Sequence, residues 1–142
     1  MTDPSTTNPQ IRAVLDSSGI QSYGIGHVHV GEMMGEVLSG HGQIGVPTTA
    51  LLDAQVRFLD DKLATARLGV LVGLPVVRVL DLDATSATAV AEVVPFVDGD
   101  LARAHAIWAA LEHSALFLTR EPGKAARAVA EERTIVIPTE DA

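Results

Sequence analysis

Asp16 closes the run Ile11-Arg12-Ala13-Val14-Leu15-Asp16-Ser17-Ser18, an apolar β-rich stretch that ends in a carboxylate and two hydroxyls. A strand ending in this way can aim its oxygen atoms at one point, and such donors suit a hard divalent cation. Three later segments carry acids where a doubly wound sheet would gather them, outside the carboxyl ends of its strands. A metal held there would acidify bound water and polarise the oxygen atoms of a substrate.

The elements that must position these groups follow from periodicity. Ile11 to Leu15 reads as a first strand, Ser-Ser-Gly as a turn, and Val28 to Leu38 as a helix with Val30, Met33, Met34 and Val37 on one stripe. Gln43 to Val46 suits a short second strand. Pro47 suits the first turn of a helix carrying Leu52, Val56, Leu59 and Leu63 at alternating spacings, ending before Gly69. Gly73 and Pro75 divide the apolar run Gly69 to Leu80 into a helix end or turn and a buried strand, Val76 to Leu80. Asp83 caps a small helix reaching Val94, and Asp98-Gly99-Asp100 starts a helix over Leu101 to His113. The strand Leu116 to Leu118, the turn Thr119-Arg120-Glu121-Pro122, a last helix and a strand ending at Thr134-Ile135-Val136-Ile137-Pro138 complete the chain. Apolar strands alternating with helices predict an α/β fold, three layers deep, around a central and mostly parallel sheet.

Composition bounds the function. The 142 residues fit one domain, expected over residues 11–142 behind a loose polar tail, Met1 to Gln10. The net charge of -8 disfavours non-specific attraction to nucleic acid, so an RNA substrate would need a focused groove. The chain has no cysteine, which rules out thiolate zinc sites and cysteine nucleophiles and fits the cytoplasm. No stretch reads as a membrane span or signal peptide. The histidines lack metal-ligand spacing except for the pair His27 and His29, which has no third ligand.

Four segments together resemble the PIN-domain family, whose best known members are VapC-type ribonuclease toxins of bacterial toxin-antitoxin pairs. Val14-Leu15-Asp16-Ser17-Ser18 is similar to the family's opening strand and first acid. Val46-Pro47-Thr48-Thr49-Ala50-Leu51-Leu52-Asp53 is similar to its Val-Pro-led helix, with Asp53 at a position that is normally Glu. Ala104-His105-Ala106 through Ala110-Leu111-Glu112-His113 resembles the helix of the third acid, and Leu116-Phe117-Leu118-Thr119-Arg120-Glu121-Pro122 resembles the strand and turn of the fourth. Glu121 stands where Asp is usual. Arg103 stands where the third acid is expected, and Asp100 lies one turn earlier on the same helical face.

The resemblance implies Asp16, Asp53, Asp100 and Glu121 as catalytic and metal-binding groups for Mg²⁺ or Mn²⁺, acting on RNA phosphodiesters. Ser17, Thr119 and Arg103 would orient water or phosphate. It also implies a homodimer and an antitoxin protein as partner. Each residue has a plainer alternative. Asp16 would cap the turn after its strand, Asp53 would pair with Arg57, Asp100 would cap its helix or pair with Arg103, and Glu121 would start a helix before Pro122. Two functions therefore stand side by side: a metal-dependent ribonuclease of reduced activity in a toxin-antitoxin pair, and a catalytically inactive PIN-like module for interaction or regulation. A phosphoacceptor domain built on Asp81 or Asp83 lacks the acidic pair and the late Lys which that chemistry needs.

Overall fold

The computed structural model describes residues 9–139. The expected N-terminal tail lies outside the described residues except for Pro9 and Gln10, and the Gln10 carbonyl accepts from the Gln43 N–H at 2.9 Å. Five strands form one sheet: β1 (Ile11–Leu15), β2 (Gln43–Pro47), β3 (Val77–Leu80), β4 (Leu116–Thr119) and β5 (Thr134–Val136). Their order is β3-β2-β1-β4-β5, and every pairing is parallel.

The chain starts in the middle of the sheet, builds outward through β2 and β3, then returns to the other side of β1 for β4 and β5. That reversal places a topological switch point between β1 and β4, where the carboxyl ends of both strands open a crevice. Asp16 follows β1 and Glu121 follows β4, so the switch point brings both acids to one place.

Helices cover both faces, as right-handed crossovers in opposite directions require. On one face lie α1 (Ser17–Gly24), α2 (Val28–Ser39), α3 (Thr48–Arg57) and α4 (Lys62–Gly73), packed on Ala13, Leu15, Ile44, Val46 and Leu118. On the other lie α5 (Ala84–Ala91), α6 (Leu101–Glu112) and α7 (Pro122–Ala125), packed around Val14 and Phe117. The expected α/β/α layering is therefore present, with a sheet that is wholly parallel among the described strands. No helix among the described residues is long and apolar enough to cross a membrane.

Several expectations need correction. Residues Ser17–Gly24 form a helix and not merely a turn. Its composition hides it, since serine and glycine are weak helix formers, and it starts because the Asp16 side chain accepts from the Gly19 N–H. A Cβ on Gly19 would lie 2.9 Å from Leu15 Cδ2 and 3.1 Å from Ile137 Cδ1, so the lack of a side chain there lets α1 sit tight on the strand ends.

Leu52, Val56, Leu59 and Leu63 do not face the core, being 60%, 56%, 77% and 61% exposed. The helix they were expected to share is broken after Arg57, and Asp61 caps α4 through the Ala64 N–H at 3.0 Å. The buried face of α3 is made of Ala50 and Ala54, whose small side chains bring the helix close to the sheet. α4 also runs through Gly69 to Gly73, where its buried residues are Ala64, Leu68 and Leu71. Finally, β3 is an edge strand and only partly buried, with Val79 37% exposed.

Candidate functional site

Asp16 is fully buried at the N-terminus of α1, and hydrogen bonds occupy both of its oxygens. Oδ1 accepts from Ser18 Oγ at 2.6 Å and from the Gly19 N–H at 2.9 Å, and Oδ2 accepts from Thr119 Oγ1 at 2.6 Å. The same hydroxyls tie the turn after β4 to the site. Ser18 Oγ accepts from the Arg120 N–H and Thr119 Oγ1 from the Glu121 N–H, each at 2.9 Å. Burial pushes the Asp16 carboxyl above the usual carboxylate range, opposed by the bonds from Ser18, Thr119 and Gly19 and by the charge of Arg103.

Arg103 lies in the first turn of α6, which Asp100 caps by accepting from the Arg103 N–H at 2.9 Å. Its guanidinium is almost wholly buried. Nη1 donates to Asp100 Oδ2 and Nη2 to Glu121 Oε1, each at 2.7 Å, while Nε faces Asp16 Oδ2 at 3.9 Å without a hydrogen-bond partner. Glu121 also meets Lys124 Nζ at 2.8 Å, and hydrogen bonding to Lys124, aided by Arg103, holds its carboxyl below the usual range.

Asp53 stands across the cleft on α3, where its Oδ2 accepts from Ser17 Oγ and lies 3.6 Å from Arg57 Nε. Ser17 Oγ in turn accepts from Gln21 Nε2 at 2.9 Å. Behind this wall, His105 of α6 is buried, with Nδ1 2.7 Å from Thr49 Oγ1 and its ring stacked at 6.4 Å on Trp108. Burial lowers its pKa, so a neutral imidazole joins α3 to α6 as packing.

The structure brings Asp16, Ser17, Asp53, Asp100, Arg103 and Glu121 to one cleft of about 390 Å³, with Thr119 bonded beneath it. Sequence reasoning missed part of the lining: Gln21, Arg120 and Lys124 also face the cleft, as does Arg57. Gln21 was masked by the missed helix, whereas Lys124 sits three residues after Glu121 at helical spacing, a signal that was available. His27 and His29 are not part of this cleft.

The oxygen donors are of the kind that Mg²⁺ or Mn²⁺ takes, but their arrangement does not fit an ion. Four carboxylates, Asp16, Asp53, Asp100 and Glu121, share the cleft with four cations, Arg57, Arg103, Arg120 and Lys124. The Arg103 guanidinium fills the space that Asp16, Asp100 and Glu121 would have to share around a metal. Among the described residues no three His, Asp or Glu side chains stand where they could hold one ion together. In this arrangement the cleft can bind hydrogen-bonding and charged groups at its mouth. Each of its four acids already has a hydrogen-bond donor or a cation beside it.

No protein-family model matches the sequence, and no curated protein matches it. Solved structures do match in fold. A toxin-antitoxin complex from Klebsiella pneumoniae aligns with a TM-score of 0.66 at 12% identity, covering 89% of this chain and 98% of that one. VapBC2 from Rickettsia felis, bound to a DNA fragment from its promoter, aligns with a TM-score of 0.61 at 14% identity, covering 84% and 96%. PAE2754 from Pyrobaculum aerophilum aligns with a TM-score of 0.62 at 11% identity, covering 89% and 86%. At such identities the likeness is one of fold, and with the switch-point cleft in the same chain it leads to one conclusion: this chain has the PIN-domain fold of VapC-type toxins.

Proposed function

We propose that this chain is a catalytically inactive PIN-fold module that works by binding a protein partner of the antitoxin kind, with Arg103 in the place where a nuclease would keep a metal. The observation that carries this reading is the pair of hydrogen bonds that the guanidinium donates, one to Asp100 and one to Glu121, each at 2.7 Å, beside the buried Asp16. A cation built into the chain neutralises the cleft permanently, so the fold remains while the hydrolytic step loses its Lewis acid. The likeness to toxin-antitoxin complexes supports an antitoxin-type partner, and the PIN resemblance supports a homodimer in the cytoplasm.

One observation favours a second reading, a ribonuclease of reduced activity. Asp100 and Glu121 keep side-chain exposures of 40% and 38%, so a divalent ion at high concentration has a route to compete with Arg103 for them.

Melting curves and RNA cleavage assays with and without MnCl₂ decide between the two. The inactive module shows no Mn²⁺-dependent shift in Tm and no cleavage, while Arg103→Asp gains a shift with Mn²⁺, as mass action requires of a folded state that binds the ion. A wild-type protein that is stabilised by Mn²⁺ and cleaves RNA in an Asp16-dependent way overturns the proposal in favour of the nuclease.

A further inference from the structure

At the pole of the sheet opposite the acid cleft, the amino ends of the strands open into a second cleft of about 750 Å³. It gathers Arg12, Arg78 and Arg133, three of the chain's ten Lys and Arg residues, with His113 beside them and Glu112 as the single acid. On a chain of net charge -8 this is a local reversal of sign, with a formal excess of two positive charges in the lining.

Each arginine arrives by a distinct structural device. The register of β1 against β2 slips between Ile11 and Ala13, so Arg12 is the extra residue of a bulge, a device that re-aims side chains. Its stem lies over Gly42, where a Cβ would collide with Arg12 Cγ. Arg78 stands on the edge strand β3 opposite Gly45. Arg133 precedes β5 and donates through Nη2 to the Ser114 carbonyl, just beyond the negative end of α6.

That last contact gives Arg133 a structural task. Arg12 and Arg78 have none of this kind: neither forms an ion pair with any described residue. Burial, and then the charge of Arg78, lower the pKa of His113, so at neutral pH its imidazole adds hydrogen bonding and no charge.

We propose that this cleft binds a compact phosphate-bearing anion, gripped by Arg12 and Arg78 and completed by Arg133 and His113. Guanidinium forks match phosphate oxygens two at a time, which a flexible ammonium does not. A multiply charged phosphate balances the excess of two, whereas a single carboxylate would leave charge uncovered. The lining has no Phe, Tyr or Trp on which a base could stack, so recognition centres on the phosphate. The cavity lies within the size range of small-ligand sites.

Isothermal titration of the full chain with sodium pyrophosphate at low salt tests this. The wild type binds, and Arg12→Ala and Arg78→Ala each weaken binding about tenfold or more, as expected for loss of a charge-assisted hydrogen-bond pair. Arg127→Ala removes the same charge from the exposed surface and leaves binding unchanged. Arg78→Lys, which keeps charge and fold but loses the fork, falls between wild type and Arg78→Ala. A parallel titration with ADP identifies the source: equal binding points to a nucleotide diphosphate, and binding of pyrophosphate alone points to the free anion. Absence of pyrophosphate binding, or equal weakening by Arg127→Ala, overturns the proposal.

Discussion

Arg103 Nη2 lies 2.7 Å from Glu121 Oε1, and this bond ties the first turn of α6 to the turn after β4 across the mouth of the switch-point crevice. The same guanidinium holds the cap of its own helix through Asp100 and faces the buried Asp16. One side chain thus answers three acids from three parts of the chain. Its removal should be felt in stability before it is felt in any activity.

Arg103→Ala leaves Asp16 buried without a cationic neighbour, and breaking a buried charge cluster in this way costs about 3–5 kcal/mol. Urea unfolding of the variant should show that loss. Adding Asp16→Asn should recover part of it, because the uncompensated charge is then gone; two losses that simply add would contradict the electrostatic account.

Thr119→Val keeps the shape of the side chain but removes the donor to Asp16 and the acceptor for the Glu121 N–H. A hydrogen bond to a charged group is worth about 1.5–3 kcal/mol, and the variant should lose an amount in that range. Thr119→Ser, which keeps the hydroxyl, should lose less than half as much by the same measurement.

Stability should also depend on pH through Asp16 and Glu121 with opposite signs. The Asp16 pKa is raised by burial, so the folded state holds its proton more tightly, and the stability this contributes is lost as pH rises through the folded value. The Glu121 pKa is lowered by Lys124 and Arg103, so its contribution is present above the ordinary carboxylate range and lost as pH falls through the folded value. Denaturation curves from about pH 2.5 to 7 should show a gain toward acid in wild type relative to Asp16→Asn, within the range where carboxylates titrate. Glu121→Gln should flatten the opposing loss. Parallel curves for wild type and Asp16→Asn would place the titration elsewhere.

The outward leucines give a direct test of the packing. Leu59→Ser should change unfolding free energy by no more than about 0.5 kcal/mol, as expected at a surface position. Leu68→Ala, at a buried position of α4, should cost about 2–5 kcal/mol. If the expected homodimer covers this face, Leu59→Ser would instead shift the elution volume toward the monomer.

Strong periodicity and caps were readable in the sequence. The stripe Val30, Met33, Met34 and Val37, the caps Asp83 and Asp100, and the strand Leu116 to Leu118 all appear as their residues predict, because each depends on neighbours within a few positions. The stripe from Leu52 to Leu63 misled because its period crosses a turn, and nothing local says that alanines rather than leucines face the sheet. At the site, local spacing gave the Asp16, Asp100 and Asp53 alternatives: a cap, a cap with an Arg103 pair, and an Arg57 pair. The bond from Arg103 to Glu121 joins residues 18 apart, and that from Thr119 to Asp16 joins residues 103 apart. Such contacts exist only once the sheet has reversed direction.

The matching of four acids by four cations in the crevice has a kinetic consequence. Its charges cancel at a distance, so the field of the chain, net -8, arises from its other surfaces. A basic partner drifting toward the protein is drawn to those surfaces first, and the crevice itself exerts no long-range pull. Encounters of a basic partner with the crevice should therefore take their steering and their salt dependence from the surrounding acidic surfaces and not from the crevice's own side chains.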